Sequence, residues 1–351
     1  NCFDGNHIKV FNHFHNDSIS YGNLYVTQMV EDGQGSLFLL ASTGLFQFDL
    51  ETEKYYILPV SSPSTLAKGK LGVWIAEGGK LFLYDKNTRL LKPMYADLQL
   101  PDSGPTMVEG SEGSLWIALK EGGVMRVDTC GSISLHLPGI KVMKLIKSND
   151  QNIWIGSQDQ GVFCLDMDSV QFPCSNYIDE IDPGILVFAT QKEGLYVYDL
   201  NIGQKKQISA ADLGVPADKS LSITSFCRDS EHNLWMTTER QGLLSVDKHW
   251  KLRKQHLSHT KVHSDKLYFV AKQNEERLWV IGAHKLYLFN FKEDQLHTFD
   301  NNNGLRLTDM DASSLIDSAN RFWILGNTGY VMVDNRNFML NDTPASVILT
   351  T

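Results

Sequence analysis

Polar and charged residues recur at one kind of place in this chain, the short segments between two apolar runs. Lys120 with Glu121, Gln158 with Asp159, Gln191 with Lys192, Glu239 with Arg240, and His284 all fall there, as do Glu77, Ser42 and Asn327. A ring of amides, carboxylates and amines suits a polyhydroxy ligand. Lys120, Lys192 and Arg240 could pair with carboxylates or sulfates if that ligand is acidic. Glu77, Glu121, Asp159 and Glu239 could also supply the two carboxyl groups that glycoside hydrolysis needs across the scissile bond. Nothing marks any two of them as partners, and there is no nucleophile-elbow motif or Ser/His/Asp constellation. His13 and His15 would project from one side of a strand, but two histidines without a third ligand make a poor metal site. The expectation is therefore no catalytic group, no metal and no cofactor. The candidates for ligand binding are Lys120, Gln158, Asp159, Lys192, Glu239, Arg240 and His284, with Tyr21, Asn23, Tyr177 and Arg306 added from the longer connections.

The segments that must position these residues form a repeat. "SLFLLASTGLFQFD" closes at Asp49, "SLWIALKEGGVMRVD" at Asp128, "NLWMTTERQGLLSVD" at Asp247 and "RFWILGNTGYVMVD" at Asp334, with further copies closing at Asp85, Asp166, Asp199 and Asn290. Each copy is an aromatic-rich run, a polar loop and an alternating run ending in Asp or Asn. The runs alternate with period two and are rich in Trp, Phe, Tyr, Val and Ile, which predicts strands. Polar turns precede the aromatic runs, as at Asp229 and Asp317, and a further strand lies on each side, as in "SITSFCRD" and "SISLHLP". Four strands per unit, repeating at roughly forty residues, predict a β-propeller.

The fold class is thus all-β: a propeller of four-stranded antiparallel blades, with eight repeat units. The second and fifth are the weakest, which leaves a seven-bladed alternative. Trp74, Trp116, Trp154, Trp235, Trp279 and Trp323 share one position, filled by Phe38 and Val187 in the other two copies. An in-phase indole is expected to fill the wedge between blades and not to stack on a sugar. "NCFD" reads as the tail of one more copy. "HIKVFNHF", from His7, reads as an outermost strand that completes the last blade and closes the ring, protecting exposed edges.

The bulk properties agree with a large folded domain. The chain has 351 residues, 42% of them hydrophobic, and a formal charge of −9, which argues against a general nucleic-acid binder. No apolar run reaches the roughly 18 residues of a membrane helix. The start at Asn1, with no signal pattern, reads as a processed or excised segment. The five cysteines match no zinc spacing. Cys164 and Cys174 could pair across neighbouring strands, although buried free thiols are the simpler expectation. The basic, His-rich stretch at 248–266 is expected to be an outer strand and a long loop.

The copies lack the signatures of other major propeller repeats. "EDGQGSLFLLASTGLFQFD" and "NDQNIWIGSQDQGVFCLD" instead resemble the two-component regulator propeller repeat. "NCFDGNHIKVFNHFHNDSIS" is similar to that family's blade ending and linker, and "HTFDNNNGLRLTDMDASS" to its terminal-blade start. "NDTPASVILTT" resembles the connector into its Ig-like triple-tyrosine domain. The resemblance implies a propeller at 1–340, a connector at 341–351, and a periplasmic sensor module of a hybrid two-component histidine kinase of Bacteroides type. It also implies an oligosaccharide ligand, signalling through domain or homodimer rearrangement, and a membrane attachment outside this segment. The alternatives are a protein-interaction propeller and a carbohydrate-active propeller enzyme.

Overall fold

The computed structural model describes residues 2–3, 8–9, 25–157, 159–165, 167–173, 175–190, 193–215, 221–256, 266–300, 314–326, 329–336 and 338. They form eight sheets of successive strands, which we number as blades: 26–57, 63–94, 103–136, 142–172, 175–208, 223–256, 267–299 and 315–334. Within each of the first seven, four strands pair in chain order, and the first strands of neighbouring blades lie beside one another around the axis. Second strands such as Ser36–Ala41 and Arg321–Gly326 are buried along their whole length, whereas outer fourth strands such as Ile133–His136 are largely exposed. A strand packed on both faces needs apolar residues at every position, which explains the unbroken runs in the sequence.

The core is divided by blade. Each hydrophobic cluster joins one blade to the next, as Trp116 and Ala118 meet Val142 and Ile155, and Val187 and Leu195 meet Phe226 and Met236. One cluster joins the last blade to the first through Trp323, Leu325 and Met332 against Leu37, Phe46 and Phe48. The ring is therefore closed by packing, and the eight clusters settle the count in favour of eight blades. The second and fifth copies form complete four-stranded blades. All six in-phase tryptophans are buried, none more than 8% exposed.

The N-terminal segment closes the last blade in a form that the sequence reading only half anticipates. Ile8–Lys9 is the outermost strand, as expected. Cys2–Phe3, however, lies beside Gly329–Asp334 and runs parallel to it, with Cys2 opposite Met332 and Phe3 opposite Val333. "NCFD" is thus the fourth strand of the eighth blade, which becomes five-stranded. The reason is direction: one parallel strand would leave the chain at the opposite face from the start of blade 1, and the antiparallel Ile8–Lys9 strand brings it back.

The recurrent aspartates are turn-formers. Asp229 Oδ1 accepts the backbone N–H groups of Glu231 and Asn233, and Asp317 Oδ1 those of Ala319 and Arg321. At the ends of third strands, Asp49, Asp85, Asp128, Asp199 and Asp247 do the same one turn later. An Asp side chain folding onto the backbone two to four residues on is what fixes these tight turns. The same geometry places Cys130 in an exposed turn just after Asp128. Cys164 is buried between blades 4 and 5, while Cys174 and the connector 341–351 lie outside the described residues. Leu252–His256 is an outer strand, as expected for the basic stretch. No helix among the described residues is long and apolar enough to cross a membrane.

Candidate functional site

The loops joining second to third strands share one face with the blade-to-blade connections, and the backbone ties the two together. The N–H groups of Ser42, Lys120, Glu239 and Ala283 donate to the carbonyls of Tyr25, Asp102, Ser222 and Lys266, each just ahead of a first strand. In blades 4, 5 and 6 a hydroxyl braces the turn from within. Ser157, Thr190 and Thr238 donate to the carbonyls of Gly161, Gly194 and Gly242 and accept the N–H groups of Gln160, Glu193 and Gln241. The residue two after each hydroxyl is Asp159, Lys192 or Arg240, so a charged residue recurs at one sequence position in three consecutive repeats.

Lys120, Asp159, Arg240 and His284 are exposed on this face, and Glu239 is half-buried. Lys120, Asp159 and His284 sit on the loops of blades 3, 4 and 7, and Glu239 and Arg240 share that of blade 6, so the structure distributes them around a ring. Lys120 Nζ lies 4.0 Å from Asp102 Oδ2, and Lys266 Nζ 3.9 Å from Glu239 Oε1. Asp102 and Lys266 were not among the sequence candidates, since they flank first strands and not the second-to-third loops. Glu77 leaves the candidate set, because its carboxylate accepts the N–H groups of Ser61 and Ser62 and anchors the connection between blades 1 and 2. Tyr177 is no loop residue but part of the strand Ser175–Asp182, with its ring edge-on to Phe226 at 4.9 Å. Gln158, Lys192, Tyr21, Asn23, Arg306, His13 and His15 lie outside the described residues. Among the described residues no cluster of three His, Cys, Asp or Glu side chains could hold a metal.

The axis has a chemistry that the repeat pattern does not announce. Seven first strands carry an irregularity near their starts, for example between Val26 and Gln28, Pro63 and Thr65, and Ile223 and Ser225. A bulge takes one residue out of the ladder and re-aims its side chain. The polar side chains around these bulges sew neighbouring blades together. The Gln28 amide exchanges two hydrogen bonds with the Leu66 backbone, at 2.9 and 2.8 Å, and Thr224 Oγ1 donates to the Leu267 carbonyl at 2.7 Å. Short polar residues early in a first strand, as in "VTQ", "PST" and "ITS", are the signal that could have located them.

Between blades 4 and 5 the link is a cation–π contact. Lys144 Nζ sits 4.2 Å over the Tyr177 ring. Burial holds the Lys144 amine below its ordinary range, against the opposing pull of Asp179, and burial likewise pushes the Tyr177 phenol up. The lowered value means that desolvation outweighs both the cation–π contact and the aspartate. Between the native pKa and 10.5 the unfolded chain holds more protons, so this residue makes stability rise with pH across that window. Lys144→Met is expected to stabilise the protein by about 1 kcal/mol at neutral pH and to flatten that rise. Urea midpoints at pH 7 and 10 measure both effects.

No family model matches the chain, and no curated protein matches it in sequence. Its fold is similar to that of Sqt1 from Saccharomyces cerevisiae, with a TM-score of 0.55 and 13% identity over 89% of this chain and 96% of that one. It is similar to YCF48 bound to D1 peptide, with a TM-score of 0.54 and 12% identity over 89% and 91% of the two chains. The extracellular domain of the hybrid two component system BT3049 from B. thetaiotaomicron has a TM-score of 0.45 and 14% identity over 95% of this chain, which spans 60% of that one. At 12–13% identity, what is held in common with Sqt1 and YCF48 is the β-propeller itself.

Proposed function

We propose that this propeller is the ligand-sensing module of a periplasmic two-component-type sensor, and that it binds an oligosaccharide on the face of its second-to-third-strand loops. The observation that carries the reading is the set of braced turns. Lys120, Asp159 and Arg240 stand exposed on loops whose backbones are already fixed, so ordering them around a ligand costs little. The resemblance of the repeats to the regulator propeller supplies the sensory context.

Signalling would follow from unequal affinity for two arrangements of the propeller relative to a downstream domain or a second copy. Calorimetry against defined neutral and acidic oligosaccharides, with an assay for released sugar, tests the reading. Arg240→Ala is expected to weaken an acidic glycan roughly tenfold through loss of one charge-assisted contact. Glycan cleavage, or no glycan bound while a protein partner is, would overturn it.

A further inference from the structure

The two faces of the propeller differ, and the one opposite the braced loops holds a cavity of about 1090 Å³ beneath blades 2 and 3. Its walls are mostly carbon: Trp74, Leu83, Met94, Tyr95, Val108 and the exposed Leu71. The hollow has an identifiable origin. Five of the in-phase tryptophans have a ring partner: His136 for Trp116, Phe172 for Trp154, His256 for Trp235, Phe299 for Trp279 and Tyr330 for Trp323. Trp74 has no ring partner among the described residues. Four of those partners end a fourth strand, opposite Val124, Val162, Leu243 and Leu286 of the neighbouring third strand. In blade 2 the equivalent residue, opposite Leu81, is Met94. An unbranched thioether stands where blades 3, 4, 6 and 7 place a ring, and the space stays open.

The rim of this hollow is cationic. Lys68, Lys70 and Lys147 are exposed around it, and none has an ion-pair partner among the described residues. The acids of the lining are Glu112, in the turn Ser111–Gly113, and Glu109. Both Glu109 oxygens are engaged in the wall, accepting from Trp74 Nε1 at 2.6 Å and from the Lys70 backbone at 3.0 Å. Gly69 makes that closeness possible, since an added Cβ would lie 2.7 Å from the Trp74 ring.

We infer that this cavity is a second binding site, independent of the loop face, for a small aromatic anion. The ligand's ring takes the place of the missing side chain against Trp74 and Met94, and its carboxylate or sulfonate meets the lysines. An aromatic body with one anionic end satisfies both the apolar wall and the unpaired amines, whereas a neutral sugar satisfies neither.

The probe is 8-anilino-1-naphthalenesulfonate, titrated by fluorescence against the intact chain, with neutral N-phenyl-1-naphthylamine alongside. Saturable one-to-one binding is expected, at least tenfold tighter for the sulfonate. Met94→Phe introduces the ring that blades 3, 4, 6 and 7 carry and is expected to weaken both probes tenfold or more without lowering the melting temperature. Lys68→Ala with Lys147→Ala is expected to weaken the sulfonate about tenfold and leave the neutral probe unchanged. Lys120→Ala, on the opposite face, is expected to change neither probe, which separates this site from the glycan reading. Unsaturable binding, equal affinity for the two probes, or full affinity in Met94→Phe overturns the inference.

Discussion

Asp317→Ala is expected to cost about 3–5 kcal/mol, because it strands a buried guanidinium. The Asp317 side chain is fully buried, and the Arg321 side chain is 9% exposed. Asp317 accepts from the Arg321 and Ala319 backbones, from Arg321 Nε at 2.7 Å and from Trp323 Nε1 at 2.9 Å. Removing the carboxylate leaves three kinds of donor unpaired at once. Arg321 Nη1 also donates to the Leu50 carbonyl at 3.0 Å, across the seam between the last blade and the first. The loss therefore falls where the ring closes. Asp317→Asn keeps the shape and some acceptor capacity, and its expected cost is smaller, about 1–3 kcal/mol. Guanidinium midpoints for the two variants check the order. Equal midpoints for wild type and Asp317→Ala would show that the guanidinium finds other partners.

Trp154→Ala should be comparably severe, at about 3–5 kcal/mol, for a different reason. This indole is fully buried between blades 4 and 5, with the rings of Phe188 and Tyr198 each 5.7 Å away. Truncation empties the wedge that holds two sheets together. Trp154→Phe tells the two contributions apart. Trp154 Nε1 is buried and has no hydrogen-bond partner among the described residues. Phenylalanine removes that unsatisfied donor, a gain of about 1–3 kcal/mol, which offsets much of the lost volume. At Trp279 the same change should cost more, because its Nε1 donates to Asn335 Oδ1 at 2.7 Å. Melting temperatures of the two Trp→Phe variants should differ in that direction.

These residues also mark what the amino-acid pattern can and cannot convey. Six indoles in phase and a closing Asp or Asn in each copy report strand identity and turn position directly, so blade number and the buried wedge were legible. Period-two alternation says which residues share a face, but not what lies across from them. Glu77 therefore read as an available carboxylate, though it caps the Ser61 and Ser62 amides, and Tyr177 read as a loop residue, though it packs on Phe226. The direction of Cys2–Phe3 depends on which face the chain must return to, and no local residue preference encodes that. The open space beside Trp74 emerges only when Met94 is aligned with His136, Phe172, His256 and Phe299 through strand register. Of the loop candidates, Lys120, Asp159, Glu239, Arg240 and His284 share a face, as their place between apolar runs implied.

The closure of blade 8 has a mechanical consequence. Cys2–Phe3 and Asp334 belong to the same sheet, two neighbouring rows of one ladder. Tension applied between the two ends of the propeller would be borne by that sheet alone, while the other seven stay unloaded. The short two-residue pairing would shear first, so a pull from a tethered neighbour would act on the seam before it reached any other part of the ring.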